Sequence, residues 1–192
     1  MISQTVHYYT QKLSEEEIAT FISNGKLKRI GKSEYFVSEG KTCKQLAFCM
    51  KGSFRYFVTS EGKEYIKDFS FEKTFFTAFT SFTLQVPSEV YIQALEVSEV
   101  LVWDYETVQR TLSSSLGWQE FGRKVAEALY VRKEKREIAF LKYTAEERYL
   151  HLLQEFPQIS QRVSQVFIAS YLGITAVHLS RIRANRKFLN KG

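Results

Sequence analysis

Gln165 to Ile182 reads QVFIASYLGITAVHLSRI, and the spacing inside it specifies two short helices joined by a tight turn. A helix-turn-helix needs a small residue where its helices touch, a turn residue that tolerates positive φ, and apolar residues at fixed offsets around both. Ala169 meets the first need and Gly173 the second, while Ile168, Leu172, Ile174, Leu179 and Ile182 meet the third. An ordinary amphipathic hairpin of helices explains the aliphatic residues but not the Ala and Gly spacing. Ser164 and Thr175 stand where side-chain oxygens cap the first and second helix by accepting free backbone N–H groups.

Charge agrees with this motif once it is located along the chain. The net charge is +6, and from Trp118 onward 14 Lys and Arg stand against 7 Asp and Glu, leaving 13 against 14 before it. The surplus therefore lies on the half that carries the helix-turn-helix. Double-stranded DNA is the partner such a half suits, because releasing counterions from phosphates supplies much of the affinity. With a second helix starting near Thr175, Ala176, Val177, Ser180, Arg181 and Ala184 face outward, and Leu179 and Ile182 inward. Arg181 is the expected base reader, since a guanidinium donates two hydrogen bonds to guanine O6 and N7; Ala176 and Val177 offer apolar contact, for instance to a thymine methyl. Arg183, Arg186 and Lys187 suit phosphates, and His178 a phosphate or packing role rather than a base. Ser164 and Gln165 can hold a phosphate through side chain and backbone N–H groups.

Working towards the N-terminus, Thr144-Ala145-Glu146-Glu147 is a capping box, and the helix behind it is stopped by Pro157. A long helix is expected from Leu116 to Phe140, with Trp118, Phe121, Val125 and Leu129 on one face. That seam persists for about two heptads, which fits either a dimerisation helix or a helix packed on its own β domain. A short helix covers Tyr105 to Leu112. Before it, Leu27–Ile30, Tyr35–Val37, Leu46–Met50, Phe54–Thr59, Tyr65–Phe69, Val90–Leu95 and Val100–Trp103 are aromatic and β-branched runs punctuated by Gly31, Gly40, Gly52 and Gly62. Short strands with such turns predict an antiparallel barrel or jelly roll. Ser14-Glu15-Glu16-Glu17 is a second capping box, opening a short N-terminal helix.

A β domain, a long helix and a C-terminal helix-turn-helix together resemble the Crp/Fnr family of transcription regulators. The carriers are Glu39-Gly40, Met50-Lys51-Gly52, Glu61 to Glu64, Ala94 to Leu101, Glu147-Arg148-Tyr149, Ile168 to Ile174 and Leu179 to Arg183. The resemblance implies an α+β chain: a cyclic-nucleotide-binding-like sensor jelly roll over 1–115, a connecting or dimerisation helix over 116–142, and a winged-helix-like DNA-binding domain over 143–192. It also implies a homodimer, with RNA polymerase as a further partner. Family members that bind cyclic AMP pair a Gly-Glu with a later Arg followed by Ser or Thr to hold phosphate and ribose. The matching segment here is Phe76, Thr77 and Ala78, then Pro87 and Ser88, with Ala78 in place of the carboxylate and Pro87 in place of the Arg. A buried phosphate without those partners is poorly compensated, which argues against ordinary cyclic AMP and for another small-molecule effector or none. Phe69, Phe71, Phe75, Phe76, Phe79 and Phe82 suit either an aromatic pocket or plain core. After Arg186 too few residues remain for the β-hairpin wing of many relatives, so a truncated wing is expected.

Other functions find less support. His7, His151 and His178 are scattered, so the clustered ligands of a jelly-roll metalloenzyme are missing, and Cys43 and Cys49 cannot supply the four thiolates of an iron–sulfur cluster. No phosphate loop or nucleophile triad stands out, and the reading is non-enzymatic. No run approaches the length needed to span a bilayer, so a cytoplasmic protein without membrane contact is expected. The remaining alternative is a cyclic-nucleotide-binding sensor whose C-terminal domain contacts protein rather than DNA.

Overall fold

Ser14 caps a helix as the sequence predicts: its hydroxyl accepts the Glu17 N–H while the Glu17 carboxylate accepts the Ser14 N–H at 2.9 Å. A computed structural model describes residues 1–189, and side chains as far as residue 185. Two helices, α1 (Ile2–Tyr9) and α2 (Glu15–Ser23), precede β1 (Lys26–Ile30), β2 (Tyr35–Val37), β3 (Gln45–Lys51), β4 (Phe54–Ser60), β5 (Lys63–Ser70) and β6 (Phe75–Phe76). Then come α3 (Phe79–Leu84), β7 (Tyr91–Ala94), β8 (Ser98–Asp104), α4 (Tyr105–Ser114) and α5 (Leu116–Lys142). The chain continues through α6 (Ala145–Glu155), α7 (Ile159–Arg162), α8 (Gln165–Leu172) and α9 (Ala176–Leu189).

Among the described residues the strands form two four-stranded sheets, ordered β1-β8-β3-β6 and β2-β7-β4-β5. Antiparallel registers such as Lys26↔Val102, Ala47↔Phe76 and Tyr56↔Ile92 define the jelly roll that the strand spacing predicts. Gly52 makes one of its turns at φ +110°, and a Cβ there would sit 2.0 Å from the Ser98 hydroxyl, so both backbone and space require glycine. The sequence reading omitted β6, α1, α3 and α7. Each is short or lacks a capping signature, and β6 has only two residues with which to show alternation.

Contacts divide the chain into two units, Met1–Val58 with Asp68–Tyr130, and Thr59–Lys67 with Val131–Gly192. In the first, Phe48, Phe54, Ile92, Val100 and Trp103 are fully buried. Trp103 stacks on Phe21 at 4.3 Å and donates its indole N–H to the Phe21 carbonyl at 2.7 Å, satisfying one of the carbonyls left open at the end of α2. Trp118 and Phe121 of α5 belong to this same core, and Phe121 meets Tyr9 and Phe75 edge-on at 5.8 and 5.6 Å. The face of α5 read as a dimerisation seam therefore closes its own β unit. Period alone could not choose between those roles, because either partner demands the same apolar spacing.

The second unit is the C-terminal helical layer together with the tip of the β4–β5 hairpin. Its buried side chains include Ile66, Tyr149, Leu152, Ile159, Val163, Ile168, Ala169, Tyr171, Leu172, Leu179 and Ile182. The Ile66 N–H donates to the Ser170 hydroxyl at 3.0 Å, which ties the hairpin tip to α8.

Candidate nucleic-acid interface

Local chemistry builds the helix-turn-helix as its spacing predicts. The Ser164 hydroxyl accepts the Phe167 N–H at 3.3 Å at the start of α8, and Thr175 Oγ1 accepts the His178 N–H at 3.1 Å at the start of α9. Gly173 adopts φ +68°, ψ 33°, the left-handed conformation that ends helices at glycine. Its N–H donates to Ser170 O, and the Ile174 N–H donates to Ala169 O at 3.0 Å, the paired bonds of a Schellman turn. Leu179 and Ile182 are buried against α8, so the opposite face of α9 is free to solvent.

That face carries Val177, His178, Ser180, Arg181, Ala184 and Asn185, all exposed; Val177 is 63% accessible. Ala176 and Arg183, seven residues apart and so on one flank of α9, are half-buried, while Ser164, Gln165 and Thr175 are exposed at the two helix starts. The Arg186 side chain lies outside the described residues. The question of the wing falls on the same end: α9 runs to Leu189, and residues 190–192 are outside the described part. Asn185 was missed by the sequence reading, yet it stands one turn beyond Arg181 on the same side. Its side chain is of the type that pairs with adenine N6 and N7.

Upstream, the Thr144–Glu147 capping box is formed, with the Glu147 carboxylate accepting the Thr144 N–H at 2.8 Å and the Thr144 hydroxyl at 2.9 Å. The backbone hydrogen bond from Thr144 is the main cause holding the Glu147 carboxyl below its ordinary value. This start of α6 presents Arg148 towards α8, where its guanidinium reaches the Leu172 carbonyl.

The segment expected to hold an effector has its polar groups committed internally. Phe76 is buried between the rings of Phe36 and Phe54, at 4.9 and 4.5 Å. Thr77 donates its hydroxyl to Gln45 O at 2.9 Å, and Ser88 donates to Val90 O at 2.8 Å. Ala78 is buried at the start of α3, and Pro87 bridges Thr42. An open groove of about 390 Å³ in this unit is lined by Tyr35, Val37, Lys41, Thr42, Cys43 and Gln45 among others, and by none of those five residues. Among the described residues no helix is long and apolar enough to cross a membrane, and no three His, Cys, Asp or Glu side chains gather as metal ligands.

Jelly roll, long helix and helix-turn-helix in this order define a class: the chain has the fold of the Crp/Fnr regulators. FixK2 from Bradyrhizobium japonicum superposes with a TM-score of 0.74 at 16% identity, over 86% of this chain and 86% of that one. A CooA mutant from Carboxydothermus hydrogenoformans gives 0.70 at 16% identity, covering 94% and 82%. The c-di-GMP responsive global regulator CLP from Xanthomonas campestris gives 0.69 at 14%, covering 92% and 93%. No protein-family model matches the chain, and no curated protein matches it in sequence. At such identities the likeness establishes the fold.

Proposed function

We propose that the chain is a non-enzymatic, DNA-binding transcription regulator that works as a homodimer, with residues 1–115 as sensor, 116–142 as connecting helix and 143–192 as reading head. The observation that carries this reading is α9, whose inward face is sealed by Leu179 and Ile182 while Arg181 stands exposed on the outward face. Arg181 reads guanine, with Val177 and Ser180 beside it and Ala176 at the start of the helix; His178, Arg183 and Arg186 serve phosphates. Ser164, Gln165 and Thr175 add helix-start contacts to the backbone.

Dimerisation falls to an exposed apolar stripe of α5. Tyr130, Val131, Ile138 and Leu141 are exposed, and helical geometry puts them within about a third of the helix circumference. Such a stripe is what a second copy of the helix buries. Two copies then present α9 to successive turns of a duplex. RNA polymerase would be met from DNA, and the protein would work in the cytoplasm. For the sensor, the buried Phe76 and the internally bonded Thr77 and Ser88 speak against an ordinary cyclic AMP cassette, and for a different effector or none.

Selection of duplexes from a random pool by the full-length protein, repeated with Arg181→Ala, tests the reading. Enrichment of a guanine-containing site by the wild type, lost or relaxed in the variant by about tenfold or more, is expected. Failure to enrich any site, or the same site enriched equally by both, would overturn it and favour a protein-contact role for the C-terminal domain.

A further inference from the structure

The last four carbonyls of a helix have no partner within it and must find one elsewhere. In α8 these belong to Ala169, Ser170, Tyr171 and Leu172. The Schellman turn at Gly173 takes the first two, since Ile174 N–H bonds to Ala169 O and Gly173 N–H to Ser170 O. Two arginines from other helices take the remaining two. Arg136 of α5 donates to Tyr171 O at 3.2 Å, and Arg148 of α6 donates to Leu172 O at 3.1 and 3.3 Å.

Between those arginines lies Phe140. The Arg136 and Arg148 guanidinium carbons stand 5.1 and 4.9 Å from its ring centre, and Arg136 also covers Tyr171 at 4.4 Å. Phe140 in turn fills the space that a side chain at position 173 would need, because a Cβ there would lie 2.9 Å from its Cε1. Arg148 extends a further bond to Tyr143 O at 2.7 Å, so one guanidinium joins the end of α5 to the end of α8. Two positive charges at the carbonyl end of α8 also oppose the negative end of its dipole. Lysine cannot reproduce this, having neither the planar fork nor the flat face.

We infer that Arg136, Phe140 and Arg148 are positioning residues that lock the turn between α8 and α9 to the C-terminal end of α5, and so fix the pitch at which α9 is presented. This rests on the DNA-binding reading for its consequence but not for its geometry. Motion of the end of α5 is passed to the reading helix through these three side chains, and contact with DNA is left to other residues.

The test uses full-length Phe140→Leu and Arg148→Lys, with Arg123→Gln as a control for charge on an exposed part of α5 outside the cluster. Three quantities are measured: affinity for the selected site, affinity for random duplex across a salt series, and amide exchange at Gly173 and Ile174. The two cluster variants should lose about tenfold or more in specific affinity, the effect of one misplaced base contact. Random-duplex affinity and its salt slope should stay within about twofold, because the phosphate-binding charges remain. Exchange at Gly173 and Ile174 should quicken, while the control leaves all three unchanged. Specific and random affinities falling in parallel would overturn the inference, as would unchanged exchange. If the wild type selects no site, the DNA reading fails by itself, and exchange alone then upholds or overturns the locked turn.

Discussion

Replacing Gly173 by Ala should weaken the C-terminal unit by two separable effects. At φ +68° an L-residue carries a backbone cost of roughly 1–2 kcal/mol. The new Cβ would also lie 2.9 Å from the Phe140 ring, and that ring is 41% exposed and able to tilt. The crowding therefore sits near the low end of the usual overpacking range, about 1 kcal/mol. Loss of unfolded-state freedom returns roughly 0.4–1 kcal/mol, leaving a net destabilisation of about 2 kcal/mol. Asn in place of Ala keeps the crowding but tolerates the left-handed backbone better, so Gly173→Asn should cost less. Combining Gly173→Ala with Phe140→Leu should return part of the crowding cost. Urea titration of the full chain measures this, with far-UV circular dichroism following the helices and fluorescence following Trp103 and Trp118, which both lie in the first unit. A fall of about 1 M or more in the dichroism midpoint is expected, with the fluorescence midpoint moving less. Equal stability of the Ala variant and the wild type, or the same cost for Ala and Asn with no relief from Phe140→Leu, would refute the reasoning.

Acid should act on the capping box of α6. The folded state holds Glu147 below its ordinary value of 4.5, so in the window beneath that value the unfolded chain binds more protons; the stabilisation is complete above it and is lost as pH falls through the depressed value. Glutamine keeps the box geometry but does not titrate, so Glu147→Gln should flatten the decline in urea midpoint between about pH 5 and 3; parallel curves would dismiss the assignment. Ile138→Glu addresses the uncovered stripe of α5: Ile138 is 42% exposed in the single chain, so folding should survive while sedimentation at micromolar concentration shifts from two chains to one. A variant that still sediments as the wild-type dimer would place the interface elsewhere.

By itself the sequence determined what short-range rules govern. The offsets among Ala169, Gly173, Leu179 and Ile182 specify two helices and a turn through local sterics, and Ser14, Thr144, Ser164 and Thr175 mark helix starts because capping acts within three residues. Gly-punctuated aromatic runs were enough for an antiparallel roll. Tertiary structure decided what depends on the partner rather than the period. Around α5, Trp118 and Phe121 enter the β core while Tyr130, Val131, Ile138 and Leu141 remain exposed. Both sets are apolar at helical spacing, so only packing distinguishes them. The packing of Phe76 against Phe36 and Phe54, 40 and 22 residues away in the chain, is likewise a tertiary fact that no local period shows. Nothing local in the sequence marks Arg136 and Arg148 as partners of α8; in the folded chain they donate to the Tyr171 and Leu172 carbonyls at its end. Those acceptors exist only where a helix ends against its neighbours, and their pairing joins residues 24 to 35 positions apart, beyond any local rule.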